Sequence, residues 1–221
     1  MTLDPGDPRV LICGSRRWPW PGTVQTVLDR LAARHGARLV VIEGSARGAD
    51  RAAHMWCERH DLPEDRHRCH PVDWGTERQA RPQQWRLAGP ERNTRMLLQD
   101  RPRLVICFHD HFDPATGGTS DMALRGLLRE VPAWLVPGQD PAVGRWLSLE
   151  LFPRHRARRA CRELDAFAQA HLRCSGLAFG STPAECGPRL KRQYCASPSA
   201  GLPSPAAPAT GSTSVRPPWD S

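Results

Sequence analysis

Four short glycine-bearing segments recur along the chain, and each is followed by a stretch with helical character. The segments are Cys13–Arg16, Glu43–Asp50, Ala88–Asn93 and Thr116–Asp121. Three of them directly follow an apolar, β-branched run or lie within a short loop of one. Repeated strand–glycine–helix units bring backbone N–H groups and helix N-termini to one edge of a parallel sheet, where they bind anions such as phosphate. The pattern therefore predicts an α/β domain with a nucleotide-like ligand.

Apolar runs alternate with stretches of helical spacing over the first two thirds of the chain. The predicted strands are 9–13, 38–43, 67–72, 103–108 and 132–136, and the predicted helices are 23–35, 48–60, 89–100 and 118–129. Residues 141–151 are a candidate for one more helix, and the polar segment 73–87 is predicted to be a long loop over the sheet edge. The alternation predicts a three-layer, Rossmann-like α/β fold with a mostly parallel sheet of five or more strands.

The composition changes after Phe152. A basic run at 154–159 precedes a segment, 160–173, in which we expect a short helix, and from Ser175 onward Ser, Pro, Gly and Ala dominate. Such a composition buries too little apolar area to offset the entropy lost on ordering the chain. The predicted organisation is a nucleotide-binding domain at 1–152, a basic and partly helical segment at 153–174, and a disordered tail at 175–221.

The formal net charge of +8 is unevenly distributed along the chain. Residues 1–150 hold 21 Arg against 19 acidic residues, whereas residues 151–221 hold 10 basic residues against 4 acidic ones. The nearly neutral charge of the predicted domain argues against nucleic acid as its main partner. No signal-peptide pattern is present at the N-terminus and no apolar stretch approaches 18 residues, so we expect a cytoplasmic protein that does not cross a membrane.

In sequence order, the four segments resemble the motifs of the YspA-like branch of the SLOG superfamily. This Rossmann-like group also contains the DprA/SMF proteins and the LOG phosphoribohydrolases. The family motifs GSR, GGARGAD, AGPxRNxxM and GGxGTxDM correspond to 14–16, 43–50, 88–96 and 117–122, and residues 70–74 are similar to the family's HPADW stretch. The resemblance extends over about residues 9–137. It implies a nucleotide-derived ligand at the carboxyl edge of the sheet.

Two departures from the family pattern limit what the resemblance implies about a reaction. The triplet 43–45 is Glu-Gly-Ser where the family has a plain double glycine, and the glycine pair 117–118 directly precedes Thr119. LOG enzymes carry a glutamate three positions after their GT pair, which is taken as catalytic, whereas this chain has Met122 there, directly after Asp121. Hydrolysis of a nucleoside monophosphate to base and ribose phosphate is therefore not implied directly.

Ligand contacts are predicted at all four segments. Arg92 is expected to bind phosphate or ribose, because its planar guanidinium grips two oxygens at once. Asp121 is expected to accept ribose hydroxyls or to activate water at C1′, and Arg92 and Asp121 are the candidate catalytic residues. The alternative for Asp121 and Asp50 is a favourable interaction with a helix dipole. The predicted ligand-binding residues are Gly14, Ser15, Arg16, Gly44, Ser45, Ala46, Arg47, Gly48, Asp50, Arg92, Asn93, Gly117, Gly118 and Thr119.

No metal site and no cofactor is predicted. His54, Cys57 and His60 recur every three residues on one helix, but this spacing drifts around the helix axis and supplies no fourth zinc ligand. The segment His109–Asp113 is interpreted as a solvated loop. Four tryptophans are predicted on loops near the ligand edge, where they either stack on a base or cap the sheet: Trp18, Trp20, Trp74 and Trp85.

The predicted function is binding of a nucleotide or a nucleotide-derived small molecule, as a sensor or as a phosphoribohydrolase-like enzyme. The alternative is a DprA-like single-stranded DNA-binding module, for which the basic run at 154–159 would supply phosphate contacts. A third reading is a core that serves only as the scaffold for an interaction arm. Nucleic-acid binding through the basic tail and homodimer formation both stay open.

Overall fold

The computed structural model describes residues 6–175 and 216–219 of the chain. A six-stranded sheet with the order β3-β2-β1-β4-β5-β6 forms its centre. The strands are β1 (Arg9–Gly14), β2 (Val40–Glu43), β3 (His67–Cys69), β4 (Leu104–Phe108), β5 (Ala133–Val136) and β6 (Arg145–Trp146). All neighbouring strands are parallel except β6, which pairs antiparallel with β5. The prediction of a Rossmann-like, mostly parallel sheet is confirmed.

Helices cover both faces of the sheet. They are α1 (Pro21–His35), α2 (Ala49–Arg59), α3 (Trp74–Ala80), α4 (Ala88–Gln99), α5 (Gly118–Leu128) and α6 (Arg154–Ser175). One apolar cluster joins α1 and α2 to the strand residues of one face, and a second joins α4, α5 and α6 to those of the other. Successive strand residues point to opposite faces, so two covered faces explain why these strands are continuous apolar runs.

The order of the strands reverses between β1 and β4. From β1 the chain adds β2 and then β3 on one side, and it later returns to place β4 and β5 on the other side. Gly14 and Phe108 are register partners at the carboxyl ends of β1 and β4. In sheets of this kind, ligands bind at the carboxyl ends of the strands where the order reverses. The topology therefore creates a crevice at the end of β1.

Two local predictions are wrong. The segment 73–87 is not one loop, because it contains α3 and a short 3₁₀ turn at 85–87. Asp73 begins α3 by accepting the N–H groups of Gly75 at 3.0 Å and Thr76 at 3.1 Å, which satisfies donors that the first helical turn leaves free. Residues 141–151 form no α-helix; they contain β6 and a 3₁₀ turn at 149–151.

Helix α6 is longer than the predicted segment 160–173, and it packs on the domain. Ala157, Ala160 and Leu164 are buried in the same cluster as the apolar residues of α4 and α5. The basic run at 154–159 therefore belongs to a helix whose other face contributes to the core. Of the helices between residues 6 and 175, none combines the length and the apolarity that a bilayer-spanning segment requires.

Most of the predicted tail, residues 176–215 and 220–221, lies outside the described residues. Residues 216–219 lie against the domain. Trp219 is buried, with its ring centroid 6.1 Å from that of Trp134, and the Pro218 carbonyl accepts a hydrogen bond from Arg34 at 3.4 Å. The described end of the chain therefore adds an aromatic side chain to the core.

Candidate functional site

The four glycine-bearing segments meet around one cavity of about 200 Å³ at the carboxyl edge of the sheet. Each segment contributes to its lining: Ser15 and Arg16 after β1, Ala46 and Asp50 after β2, Arg92 and Asn93 on α4, and Gly118 and Thr119 on α5. A wider cleft of about 500 Å³ adjoins it and shares four of these residues. Segments that are far apart in the sequence are thus brought to one place by the parallel sheet.

Several of the predicted glycines allow the backbones of neighbouring segments to pack closely against one another. A Cβ on Gly14 would overlap the Phe108 carbonyl oxygen, and a Cβ on Gly44 would overlap the Arg92 guanidinium. Gly48 has a φ of +79°, and a Cβ there would overlap the carbonyl oxygen of Ser15. The segment after β2 therefore packs directly on the segment after β1, and only glycine permits that distance.

Of the other predicted ligand-binding residues in these segments, some line a cavity and some do not. Gly117, with a φ of +88°, precedes α5 and lines the wider cleft. Ser45 and Arg47 are exposed and line neither cavity, although both are predicted ligand-binding residues. Thr119 is buried and lines the small cavity in the first turn of α5, where N–H groups of the helix lack intrahelical partners.

Arg92 lines both cavities and is largely buried. One of its Nη atoms donates to the carbonyl oxygen of Gly44, and the same nitrogen lies 4.0 Å from an oxygen of Asp50. Its Nε is buried and has no hydrogen-bond partner among the described residues. A buried donor without a partner costs free energy, so the guanidinium retains capacity for a further acceptor.

Asp50 lies next to Arg92 at the start of α2. It is 3% exposed and accepts the N–H of Gly44 at 3.1 Å. Burial raises the pKa of Asp50 to about 6; the charge of Arg92 opposes this rise, and that of Glu43 adds to it. The carboxyl group therefore changes its protonation state close to neutral pH.

Asp121 lies in the first turn of α5 and lines the wider cleft. Its Oδ2 accepts hydrogen bonds from Asn93 at 2.9 Å and from Arg125 at 2.8 Å. Arg125 is almost fully buried and also donates to Thr94 and Glu163. One oxygen of Asp121 is therefore engaged in a network that joins α4, α5 and α6.

Two of the four predicted loop tryptophans form a wall of the wider cleft. The rings of Trp74 and Trp85 lie edge to face with centroids 6.0 Å apart, and both are half-buried. The Arg16 guanidinium lies 5.6 Å from the Trp74 ring centroid, at a distance typical of cation–π pairs. Trp18, in contrast, is buried in the core against Phe108. Trp18 therefore belongs to the core, whereas Trp74 and Trp85 line the cleft.

Helix α6 contributes residues that the sequence prediction assigned to a separate segment. His155, Arg156 and Arg159 line the wider cleft, and Arg156 donates to the Pro114 carbonyl and to Ser120 just before and within α5. Among the residues that the structure describes, five arginines and one histidine line the cleft, with Asp121 as the acidic residue of the lining. The spacing of the small apolar residues behind this basic run was the signal that could have placed it there.

The comparison with protein families agrees with this architecture. Residues 8–75, from the start of β1 to the first turn of α3, match the sequence model of the YspA, cpYpsA-related SLOG family. This segment is similar to the YspA-like SLOG proteins. The match confirms the resemblance noted from the motifs, and this similarity suggests a nucleotide-related function for the Rossmann-like domain. No curated protein and no solved structure matches the chain.

Proposed function

We propose that this protein binds a nucleotide or a nucleotide-derived small molecule in the two adjoining cavities at the carboxyl edge of the sheet. The observation that carries the proposal is the convergence of all four glycine-bearing segments on one cavity. A phosphate there would meet the free N–H groups at the N-terminus of α5, where the helix dipole also favours negative charge. Arg92, with its unpartnered Nε, supplies a charged donor next to them.

The wider cleft fits the rest of a nucleotide. Trp74 and Trp85 offer aromatic rings on which a base can stack, with a free energy of about 1–3 kcal/mol per base. The arginines of the cleft can pair with further phosphate groups or other negatively charged oxygens of the ligand. The volume of the wider cleft, about 500 Å³, lies within the range that small-molecule sites occupy, which is about 300–1,000 Å³.

Two features of the site favour binding without bond cleavage, as in a sensor: the existing hydrogen bonds of Asp121, and a methionine at the position of the LOG glutamate. Asp121 already accepts two hydrogen bonds on one oxygen, and Met122, at the position of the LOG glutamate, is buried. Among the described residues, Asp50 is the other carboxyl group that lines the cavities, and its raised pKa makes it the remaining candidate for proton transfer. A phosphoribohydrolase-like activity of this chain would have to use one of these two groups.

Titration of the full chain with AMP by calorimetry tests the proposal. Trp85→Ala should raise the dissociation constant at least about 5-fold because a stacking partner is lost. Trp146→Ala is the matched control, since Trp146 is also partly exposed but lies on β6 and lines neither cavity. Chromatography of AMP after incubation separates the two versions, because a hydrolase releases adenine and a sensor leaves AMP intact. If no binding heat is measured at millimolar AMP, both the sensor and the hydrolase are contradicted.

The alternative, binding of single-stranded DNA, is favoured by the five arginines that line the wider cleft. Fluorescence anisotropy with a labelled oligonucleotide distinguishes the two functions. A DNA-binding module requires an affinity that falls steeply with salt and is not reversed by AMP. A nucleotide site requires weak oligonucleotide binding that AMP displaces.

A further inference from the structure

A second cluster of polar side chains lies outside the proposed nucleotide site, on the face of the sheet covered by α1 and α2. It consists of Glu43 at the end of β2, His54 on α2 and His67 on β3. His54 Nδ1 and His67 Nε2 lie 3.0 Å and 3.2 Å from the same carboxylate oxygen of Glu43. The three potential ligand atoms all lie within 4.8 Å of one another.

These distances are close to those between the ligands of a tetrahedral metal ion. Zinc binds imidazole nitrogen and carboxylate oxygen at about 2.0–2.2 Å, which places neighbouring ligand atoms about 3.3 Å apart in a tetrahedron. The distances from the Glu43 oxygen to the two imidazole nitrogens therefore need only small adjustments to match a tetrahedron. The two imidazole nitrogens must move somewhat closer to each other. Glu43 is fully buried, whereas the His54 and His67 side chains are 28% and 12% exposed, so an ion can reach the cluster from the histidine side.

Cys69 on the edge strand is the candidate for a fourth ligand, and its sulfur is not one of the three ligand atoms that lie within 4.8 Å of one another. Cys69 is the register partner of Glu43, and its thiol hydrogen-bonds the Glu43 carboxylate. Residues 67 and 69 lie on the same face of β3 because side chains alternate along a strand. Imidazole, carboxylate and thiolate together are the ligand types of zinc, whereas magnesium and calcium select oxygen ligands.

The surroundings of His54 resemble those of a metal-bound imidazole. Its second ring nitrogen, Nε2, lies 3.3 Å from a carboxylate oxygen of Glu58. Metal-binding histidines usually pair their other nitrogen with a carboxylate or a carbonyl, which fixes the orientation of the ring. His54 is therefore held between Glu43 and an outer carboxylate.

We propose that Glu43, His54 and His67 form a zinc site, with Cys69 as the fourth ligand. The ion joins β2, the edge strand β3 and helix α2. The second oxygen of Glu43 accepts the backbone N–H of Ser45, so the site also holds the start of the segment that lines the ligand cavity. The role is structural. The helix spacing of His54, Cys57 and His60 concealed the site because three of its four ligands come from other elements.

Cobalt spectroscopy on the full chain tests the site independently of any nucleotide. After removal of bound metal with EDTA, titration with Co²⁺ should produce tetrahedral absorption bands that saturate at one equivalent, a thiolate charge-transfer band, and loss of both on addition of Zn²⁺. His54→Gln and His67→Gln should each weaken metal binding at least about 100-fold, because loss of an outer partner alone costs 10–100-fold. His60→Gln is the matched control: His60 directly follows α2 but stacks on Trp56.

Three results would overturn the proposal or part of it. Absence of tetrahedral bands at millimolar Co²⁺, or unchanged affinity in both histidine variants, excludes the site. Absence of the charge-transfer band in the wild type excludes Cys69 as a ligand. Circular dichroism checks that the variants fold. If H54Q and H67Q do not fold, Glu58→Gln decides, because Glu58 is 63% exposed; an affinity equal to that of the wild type then contradicts the proposed arrangement.

Discussion

The buried carboxyl group of Asp50 should make the stability of the domain depend on pH in an unusual direction. Burial raises its pKa from 3.8 to about 6. This difference in pKa corresponds to about 3 kcal/mol of folding free energy, because each pKa unit is worth about 1.36 kcal/mol. Because the folded protein binds this proton more tightly than the unfolded chain does, the stability from this group is fully present below about pH 4. It is lost as the pH rises through about 6.

Asp50→Asn isolates this contribution, because the side chain keeps its shape and an oxygen for the N–H of Gly44 but no longer titrates. The assay is urea unfolding of the wild type and the variant at several pH values between 4 and 8. Relative to the variant, the wild type should lose about 2–3 kcal/mol of unfolding free energy over this range. A difference that stays constant within about 0.5 kcal/mol would refute the assignment of a raised pKa to Asp50, because other titrating groups are common to both proteins.

Other perturbations test the site and the core. A phosphate bound beside Asp50 should favour its protonated form, so AMP affinity measured by calorimetry should increase from pH 8 to pH 6 in the wild type and not in D50N. Arg125→Met leaves Asp121 without its buried charged partner and should lower the unfolding free energy in urea by about 3–5 kcal/mol; a loss below about 1 kcal/mol would contradict the network. A chain that ends at residue 152 lacks α6 and should aggregate in size-exclusion chromatography, whereas a folded monomer would show that α6 is dispensable for the core. Trp219→Ala should cost about 3 kcal/mol in the same urea assay, and an unchanged value would contradict its burial.

The mostly parallel sheet and the ligand edge at its carboxyl ends were predictable because they depend on strong local signals. β1, β2 and β4 are continuous apolar runs, and parallel strands necessarily bring their carboxyl ends to one edge. Helix α3 was missed because it is short and buries none of its residues, so it carries no apolar stripe. The start of α6 was missed because the apolar stripe at Ala157 and Ala160 consists of small residues between arginines.

The composition of the site was only partly predictable. Arg92 and Thr119 could be placed at the crevice from their motifs, whereas Arg156 and Arg159 reach it only because α6 folds back against α5. The contact between Glu43 and His67 depends on the register of β2 with β3. Register is a tertiary property, and no local spacing in the sequence encodes it.

A crystal structure of the full chain with AMP tests the central claim most directly. We predict that the phosphate occupies the small cavity, within hydrogen-bond distance of the N–H groups of Gly118 and Thr119 and of the Arg92 guanidinium, with the adenine against Trp74 or Trp85. Density for the nucleotide at the opposite end of the strands, or an empty cavity in crystals grown at millimolar AMP, would contradict it.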